Sequence, residues 1–185
     1  RLGNNSHGQR ATELQFDNPS YVMLNQQRNS ANPETHRHTT AQEIIRDFGD
    51  RKVDCFVAGI GTGGHITGIG ETLKLHWPKM RVFGVEPEQC DLLADRHASH
   101  EIQGLSIGII PSILNLSVLD GMLKVSKAEC QDMVQQTMRS DAISLGISSA
   151  ANLVAVSKLA EELPGDSLVL TMIYDGVDSY LSYFE

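Results

Sequence analysis

The chain has 185 residues, 41% of them hydrophobic, and a formal net charge of -8. That length supports one domain with its own core, and the dispersed basic residues of an acidic chain exclude the clustered positive surface that nucleic acid requires. There is no run of about 18 apolar residues and no apolar leader from Arg1 to Ser6, so a soluble, cytoplasmic protein without membrane contact is expected.

In chain order, Tyr21 to Leu24 is a short apolar run expected to form a strand. Polar residues follow from Asn25 to Pro33, and then a helix that starts at Thr39 or Thr40 ahead of Ala41. Val53 to Ala58 reads as a buried strand that enters a glycine-rich turn. The next helix runs from Ile66 to about His76, stopped by Pro78, and a strand follows over Arg81 to Val85. Strand, helix and strand at this spacing predict a right-handed parallel crossover.

The stretch from Glu86 to Asn115 is rich in Gly, Pro and Ser and reads as irregular; Met122 to Val125 reads as a further strand. Ser126 is placed to cap a helix from Lys127 to about Arg139, with Glu129 three residues on completing a capping box. A helix from about Ser149 to Leu163, a turn at Pro164 to Asp166 and an apolar strand over Ser167 to Ile173 complete the order. Alternating helices and strands give an α/β fold class: a parallel twisted sheet with helices on both faces.

Gly59, Gly61, Gly63 and Gly64 put four glycines into six positions between a strand and a helix. Such a turn lets backbone approach a ligand, and the helix N-terminus behind it offers unpaired N–H groups and a positive dipole end to an anion. Thr62 can add a hydroxyl. In an acidic chain a phosphate must be held by local donors of this kind and not by a broad basic field. Three readings of the turn are open. It is a phosphate cup; it is a strand-end packing device; or, as Gly59-x-Gly61-x-x-Gly64, it is a dinucleotide fingerprint with Glu86 placed to meet a ribose hydroxyl. Gly63 and the bulky His65 at the helix entrance favour a single terminal phosphate.

Other reactive residues carry less. Cys55, Cys90 and Cys130 lack CxxC spacing and read as reduced thiols, Cys55 as core. His36 and His38 do not share a helix face, and His97 and His100 have no convincing third ligand, so no metal site is expected.

Three segments occur in order: GIGTGGHITG from Gly59, HEIQGLSIGIIPSIL from His100 and GISSAAN from Gly146. With NSANPETHRHTTAQEI from Asn29, they resemble the cysteine synthase and cystathionine β-synthase family, over roughly Asn18 to Tyr180. The resemblance implies the type II fold of enzymes that use pyridoxal 5'-phosphate, represented by its carboxyl-terminal portion. Residues 1–35 would then be a remnant and connection, and 36–185 a cofactor-phosphate-binding α/β domain. It also implies that Gly61, Thr62, Gly63, Gly64 and His65 form the phosphate cup, with His65 standing where the family usually has Thr. Ser148 would hold the pyridine nitrogen, with capping of the last helix by Ser148 or Ser149 as the structural alternative. Gln103, Gly104 and Gly108 belong to a segment resembling the mobile loop beside the substrate, or to an ordinary surface loop. Tyr174 to Tyr180 stands where relatives have PDSGERY, with Gly176 in place of the serine.

The same resemblance implies a lysine that binds the cofactor covalently and an asparagine loop for the substrate carboxylate. Neither motif occurs, and Lys52, Lys74, Lys79, Lys124, Lys127 and Lys158 all lie outside such a context. The activity implied is β-replacement or β-elimination on a serine derivative, giving cysteine or a related β-substituted alanine. The partners implied are an amino-acid substrate and either a second copy of the chain or a complementing amino-terminal segment. The rival functions are a non-catalytic interaction protein that keeps the fold and a nucleotide-binding oxidoreductase.

Overall fold

A computed structural model describes residues 6–183. Its helices are α1 (Ser6–Asp17), α2 (Ala31–His38), α3 (Thr40–Phe48), α4 (Gly64–His76), α5 (Lys127–Ser140) and α6 (Ile147–Ala160). Its strands are β1 (Cys55–Gly59), β2 (Arg81–Pro87), β3 (Gly121–Val125) and β4 (Val169–Thr171). The four strands form one parallel sheet in the order β3-β2-β1-β4. All three pairings are between parallel neighbours, which requires the helical crossovers that the alternating sequence pattern implies.

Side chains alternate across the sheet and sort the core into two layers. Cys55, Val57, Val85 and Val125 face one layer with Ala151, Ala155 and Leu159 of α6 and Val134 of α5. Phe56, Ala58 and Val82 face the other with Ile66, Ile69 and Leu73 of α4 and Ala41 of α3. Every residue of β1 is buried, as expected of a central strand covered on both faces. Fully burying one of these large apolar side chains contributes about 1.5–3 kcal/mol.

The structure corrects the sequence expectation at several places. Tyr21 to Leu24 is not a strand: it has no ladder partner, and Val22 is 86% exposed. The polar stretch that follows contains the start of α2, whose Pro33 and His36 pack closely against Gly68 of α4. β4 is paired only from Val169 to Thr171, and its residues are half-buried because among the described residues no strand lies on its far side. α6 begins at Ile147 with Gly146 as its cap residue, so neither Ser148 nor Ser149 caps it. The capping box holds: Ser126 Oγ accepts from Glu129 N–H at 3.3 Å, and Glu129 Oε2 accepts from Ser126 N–H at 2.7 Å. All three cysteines are buried and free. Among the described residues no helix is long and apolar enough to cross a membrane, and no three His, Cys, Asp or Glu side chains gather in a metal-binding group.

Candidate functional site

Parallel pairing brings the carboxyl ends of β1, β2 and β4 to the same edge of the sheet, where open α/β sheets bind ligands. β1 ends at Gly59 and the chain turns through Ile60 to Gly63 into α4. The turn is pinned on both sides: Ile60 N–H donates to Val85 C=O at 3.3 Å, and Ile60 C=O accepts from Ser106 N–H at 2.9 Å. That second bond draws the 103–106 loop over the turn, and a Cβ on Gly61 would stand 2.6 Å from Gly104 O. Gly63 has φ +80 and precedes the first helical residue, and a Cβ there would meet Leu114 Cβ at 2.8 Å. The left-handed conformation and the close approach together require glycine. Asn32 of α2 packs against Gly64 and donates to Thr62 Oγ1 at 3.3 Å, which orients that hydroxyl.

The first backbone N–H of α4 to find a helical acceptor is that of Thr67, bonded to Gly63 C=O at 3.1 Å. The N–H groups of Gly64, His65 and Ile66 therefore have no acceptor within the helix and lie at its positive end, with that of Gly64 donating to Thr62 Oγ1 at 3.5 Å.

Beside this turn lies a cleft of about 290 Å³, at the small end of the ~300–1,000 Å³ typical of ligand pockets. Gly61, Thr62, His65, Gln103, Gly104 and Ser148, named from the sequence, all line it. Gly63 and Gly64 do not; they shape the turn from behind, against Leu114 and Asn32. Gly108, with φ +84, lies outside the lining. Ser148 is buried in the first turn of α6, and its hydroxyl makes no hydrogen bond among the described residues. Its neighbour Ser149 is engaged, accepting from Tyr174 N–H at 2.9 Å and holding the segment after β4 against α6.

Three further lining residues, Tyr174, Asp175 and Tyr180, come from the stretch after β4 and went unassigned in the sequence reading. The available signal was topological: a strand beside β1 delivers its C-terminal residues to the same edge. Tyr174 is 39% exposed, yet its hydroxyl turns inward, where it accepts from Gly59 N–H at 3.1 Å and lies 2.9 Å from His65 Nε2. Burial raises the Tyr174 phenol above its ordinary value, against the opposing pull of the Asn152 side chain and the Gly59 N–H. Tyr180 donates to Asp175 Oδ2 at 2.7 Å, and its phenol is pushed up to about 12 by burial and by that carboxylate. The His65 imidazole is pushed down to about 4, mainly by burial and further by His36, whose ring centre lies 6.1 Å away. His65 is therefore neutral near pH 7 and brings no cation to the turn.

Among the described residues no lysine or arginine lines the cleft. Lys74, Lys124, Lys127 and Lys158 are ion-paired elsewhere, with Asp120, with Glu86 and Asp91, with Glu101 and with Glu129. Glu86, the ribose partner in the dinucleotide reading, is 1% exposed and accepts from Leu92 N–H at 2.8 Å. It has no free face for a sugar, which removes the support for that reading.

Comparison with known proteins places this geometry in a family. The chain is 41% identical over 182 residues to cysteine synthase B of Campylobacter jejuni, covering 98% of this chain and 60% of that protein. Its structure superposes on a crystal structure of O-ureido-L-serine synthase with a TM-score of 0.92 at 34% identity, over 98% of this chain and 57% of that one. An O-acetylserine dependent cystathionine β-synthase from Helicobacter pylori gives a TM-score of 0.89 at 34% identity, over 97% of this chain and 58% of that one. The chain thus spans about three fifths of the length of these proteins. The family model described as pyridoxal-phosphate dependent enzyme matches residues 3–175, nearly the full length, and the chain belongs to that family.

Proposed function

We propose that this chain carries the cofactor-phosphate cup of an enzyme acting at Cβ of a serine derivative, and that its product is cysteine or a related β-substituted alanine. The observation that carries this reading is the cleft itself. A cradle that a Cβ at Gly61 would fill, a hydroxyl at Thr62 and His65 in the first turn of α4 line the same cleft as the unengaged hydroxyl of Ser148. These donors fit pyridoxal 5'-phosphate, an anion at one end and a ring nitrogen at the other, without a basic side chain.

When bound, the cofactor supplies an electron sink that lets a leaving group depart from Cβ and a nucleophile take its place. The residues of this chain then divide the remaining work. The turn and the α4 N-terminus hold the phosphate. Ser148, a neutral hydroxyl, hydrogen-bonds the ring nitrogen without protonating it, which suits replacement at Cβ over transamination. Gln103 and Gly104, on the loop pinned through Ser106, border the amino-acid substrate and limit its contact with water. Cysteine, O-ureido-L-serine and O-acetylserine figure in the names of the similar proteins, and all are serine-derived skeletons that differ at the β substituent. None of the six lysines lines the cleft, so the covalent attachment lysine belongs, on this reading, to polypeptide other than these residues, from the same protein or a second copy. A non-catalytic protein that keeps the cup draws on the same absence of a lysine.

The test is titration of the purified chain with pyridoxal 5'-phosphate, followed by absorbance, borohydride reduction and intact mass. Saturable binding without a reducible adduct is expected. A specific reduced lysine adduct would overturn the placement of the lysine, and absence of binding would overturn the cup.

A further inference from the structure

The hydroxyl of Tyr174 sits between the Gly59 N–H and the His65 imidazole. Gly59 N–H is a donor and takes one lone pair of Oη at 3.1 Å. The phenol then has a single proton to place, and His65 Nε2 lies 2.9 Å away. The other polar side chain close by is Asn152, fully buried in α6, whose Oδ1 faces Gly59. Asn152 Nδ2 donates to Met172 C=O at 2.9 Å, which orients the amide, and Oδ1 has no hydrogen-bond partner among the described residues. His65 Nε2 is the acceptor within hydrogen-bond distance of the phenol, and a phenol that donates to it makes Nε2 the bare nitrogen of a neutral ring and leaves the imidazole proton on Nδ1. Nδ1 has no partner among the described residues, and His65 lines the cleft next to the N-terminus of α4.

We propose that Tyr174 is a positioning residue that fixes the tautomer of His65, so that a neutral Nδ1–H joins the helix-end N–H groups as a donor to the cofactor phosphate. This role presupposes the phosphate cup proposed above. A histidine, unlike a threonine, is a donor at a given place only when something holds its other nitrogen. A phenol anchored by Gly59 does this, and the edge-on packing of the two rings, with centres 5.4 Å apart, holds the geometry.

Two measurements on the full chain test the assignment. Nitrogen-detected NMR of the histidine side chains is expected to show His65 with a bare Nε2 and a protonated Nδ1, and Tyr174→Phe is expected to shift the ring toward the Nε2–H tautomer. In parallel, pyridoxal 5'-phosphate and inorganic phosphate are titrated into wild type, Tyr174→Phe, His65→Thr and the double variant. Tyr174→Phe should weaken both anions about tenfold in the wild-type background. In the His65→Thr background the same change should cost less than about twofold, because no imidazole remains to orient.

Loss of the Gly59 partner is common to both backgrounds, so a merely structural Tyr174 would give equal costs in each, and that result would overturn the proposal. A protonated Nε2 in the wild type would overturn it without any variant, even if Tyr174→Phe failed to fold. If the tautomer is as stated and neither anion binds, the phosphate cup fails and the donor role falls with it. If the cofactor binds and Nε2 carries the proton, the cup stands and only the role of Tyr174 falls.

Discussion

At the level of single residues, the turn after β1 separates two uses of glycine that look alike in a sequence. Gly61 faces the loop that closes the cleft, whereas Gly63 supplies a left-handed bend against Leu114. Gly61→Ala should push the Gly104 backbone away, weaken pyridoxal 5'-phosphate binding about tenfold and lower Tm, as measured by titration and calorimetry. Gly63→Asp should abolish binding by a different route, displacing Leu114 and the start of α4, and should therefore lower Tm as well.

His65 carries a pH signature. Its folded pKa of about 4 lies below the ordinary imidazole value of 6.5, so between these limits the unfolded chain binds more protons than the native one. Stability is then complete above pH 6.5 and falls as pH drops toward 4, by about 2–3 kcal/mol from this group. Facing it are His36 from α2, lowered in the same sense by burial, and Tyr174, with Asp175 and Tyr180 on the same cleft. Urea midpoints across this range should rise with pH in the wild type and rise less in His65→Gln. The glycine turn and Thr62 were legible in the sequence because local backbone chemistry writes them there, and Ser148 only through the resemblance carried by GISSAAN. Tyr174 and its contact with His65 were not, since that contact spans 109 residues and depends on which strand lies beside β1.

Among the elements, legibility followed the strength of the local signal. α5 was found with its start correct because Ser126 and Glu129 form a reciprocal cap whose spacing is visible in the chain. Burial alone would raise the Glu129 carboxyl, but the hydrogen bonds from Lys158 and Ser126 outweigh it and hold it below its usual range. Ser126→Ala should cost about 1 kcal/mol in denaturant unfolding, and the loss should reside in the α5–α6 layer. The half-exposed Lys158–Glu129 pair adds little, so Lys158→Ala should change stability by less than about 0.5 kcal/mol.

α2 leaves little trace in the sequence because ANPETHRH has weak helix propensity. The helix is held instead by contact with α4 and by Arg37, whose Nε and second guanidinium nitrogen reach Glu71 at 2.9 and 2.7 Å. Tyr21 to Leu24 misled in the opposite direction, since an apolar run without a neighbouring edge has nothing to pair with.

For the whole molecule, the parallel sheet and its two helical layers followed from alternation, but the strand count and the boundary did not. β4 presents an edge without a strand partner among the described residues, flanked by half-buried Leu168, Leu170 and Met172 and by Ile173 at 54% exposure. Val22 and Leu24 add further exposed apolar surface at 86% and 77%. Unpaired strand edges and apolar surface of this kind favour association. Size-exclusion chromatography with light scattering should show concentration-dependent self-association of the isolated chain, and a compact monomer at all concentrations would contradict this.

The strand pair β1–β4 has a temporal meaning as well. Val57 and Thr171 are 114 residues apart, and the cleft gains Tyr174 to Tyr180 only after that long loop has closed. Closure of so distant a contact is slow and late compared with the neighbouring pairing of β1 with β2. A nascent chain that has not yet emitted β4 has the glycine turn but lacks the cleft wall of Tyr174, Asp175 and Tyr180, so the cofactor meets a complete site only after β4 has docked. Its influence falls on the reverse step: a bound ligand acts as a latch on the carboxyl-terminal strand, slowing detachment and leaving the folding rate unaltered.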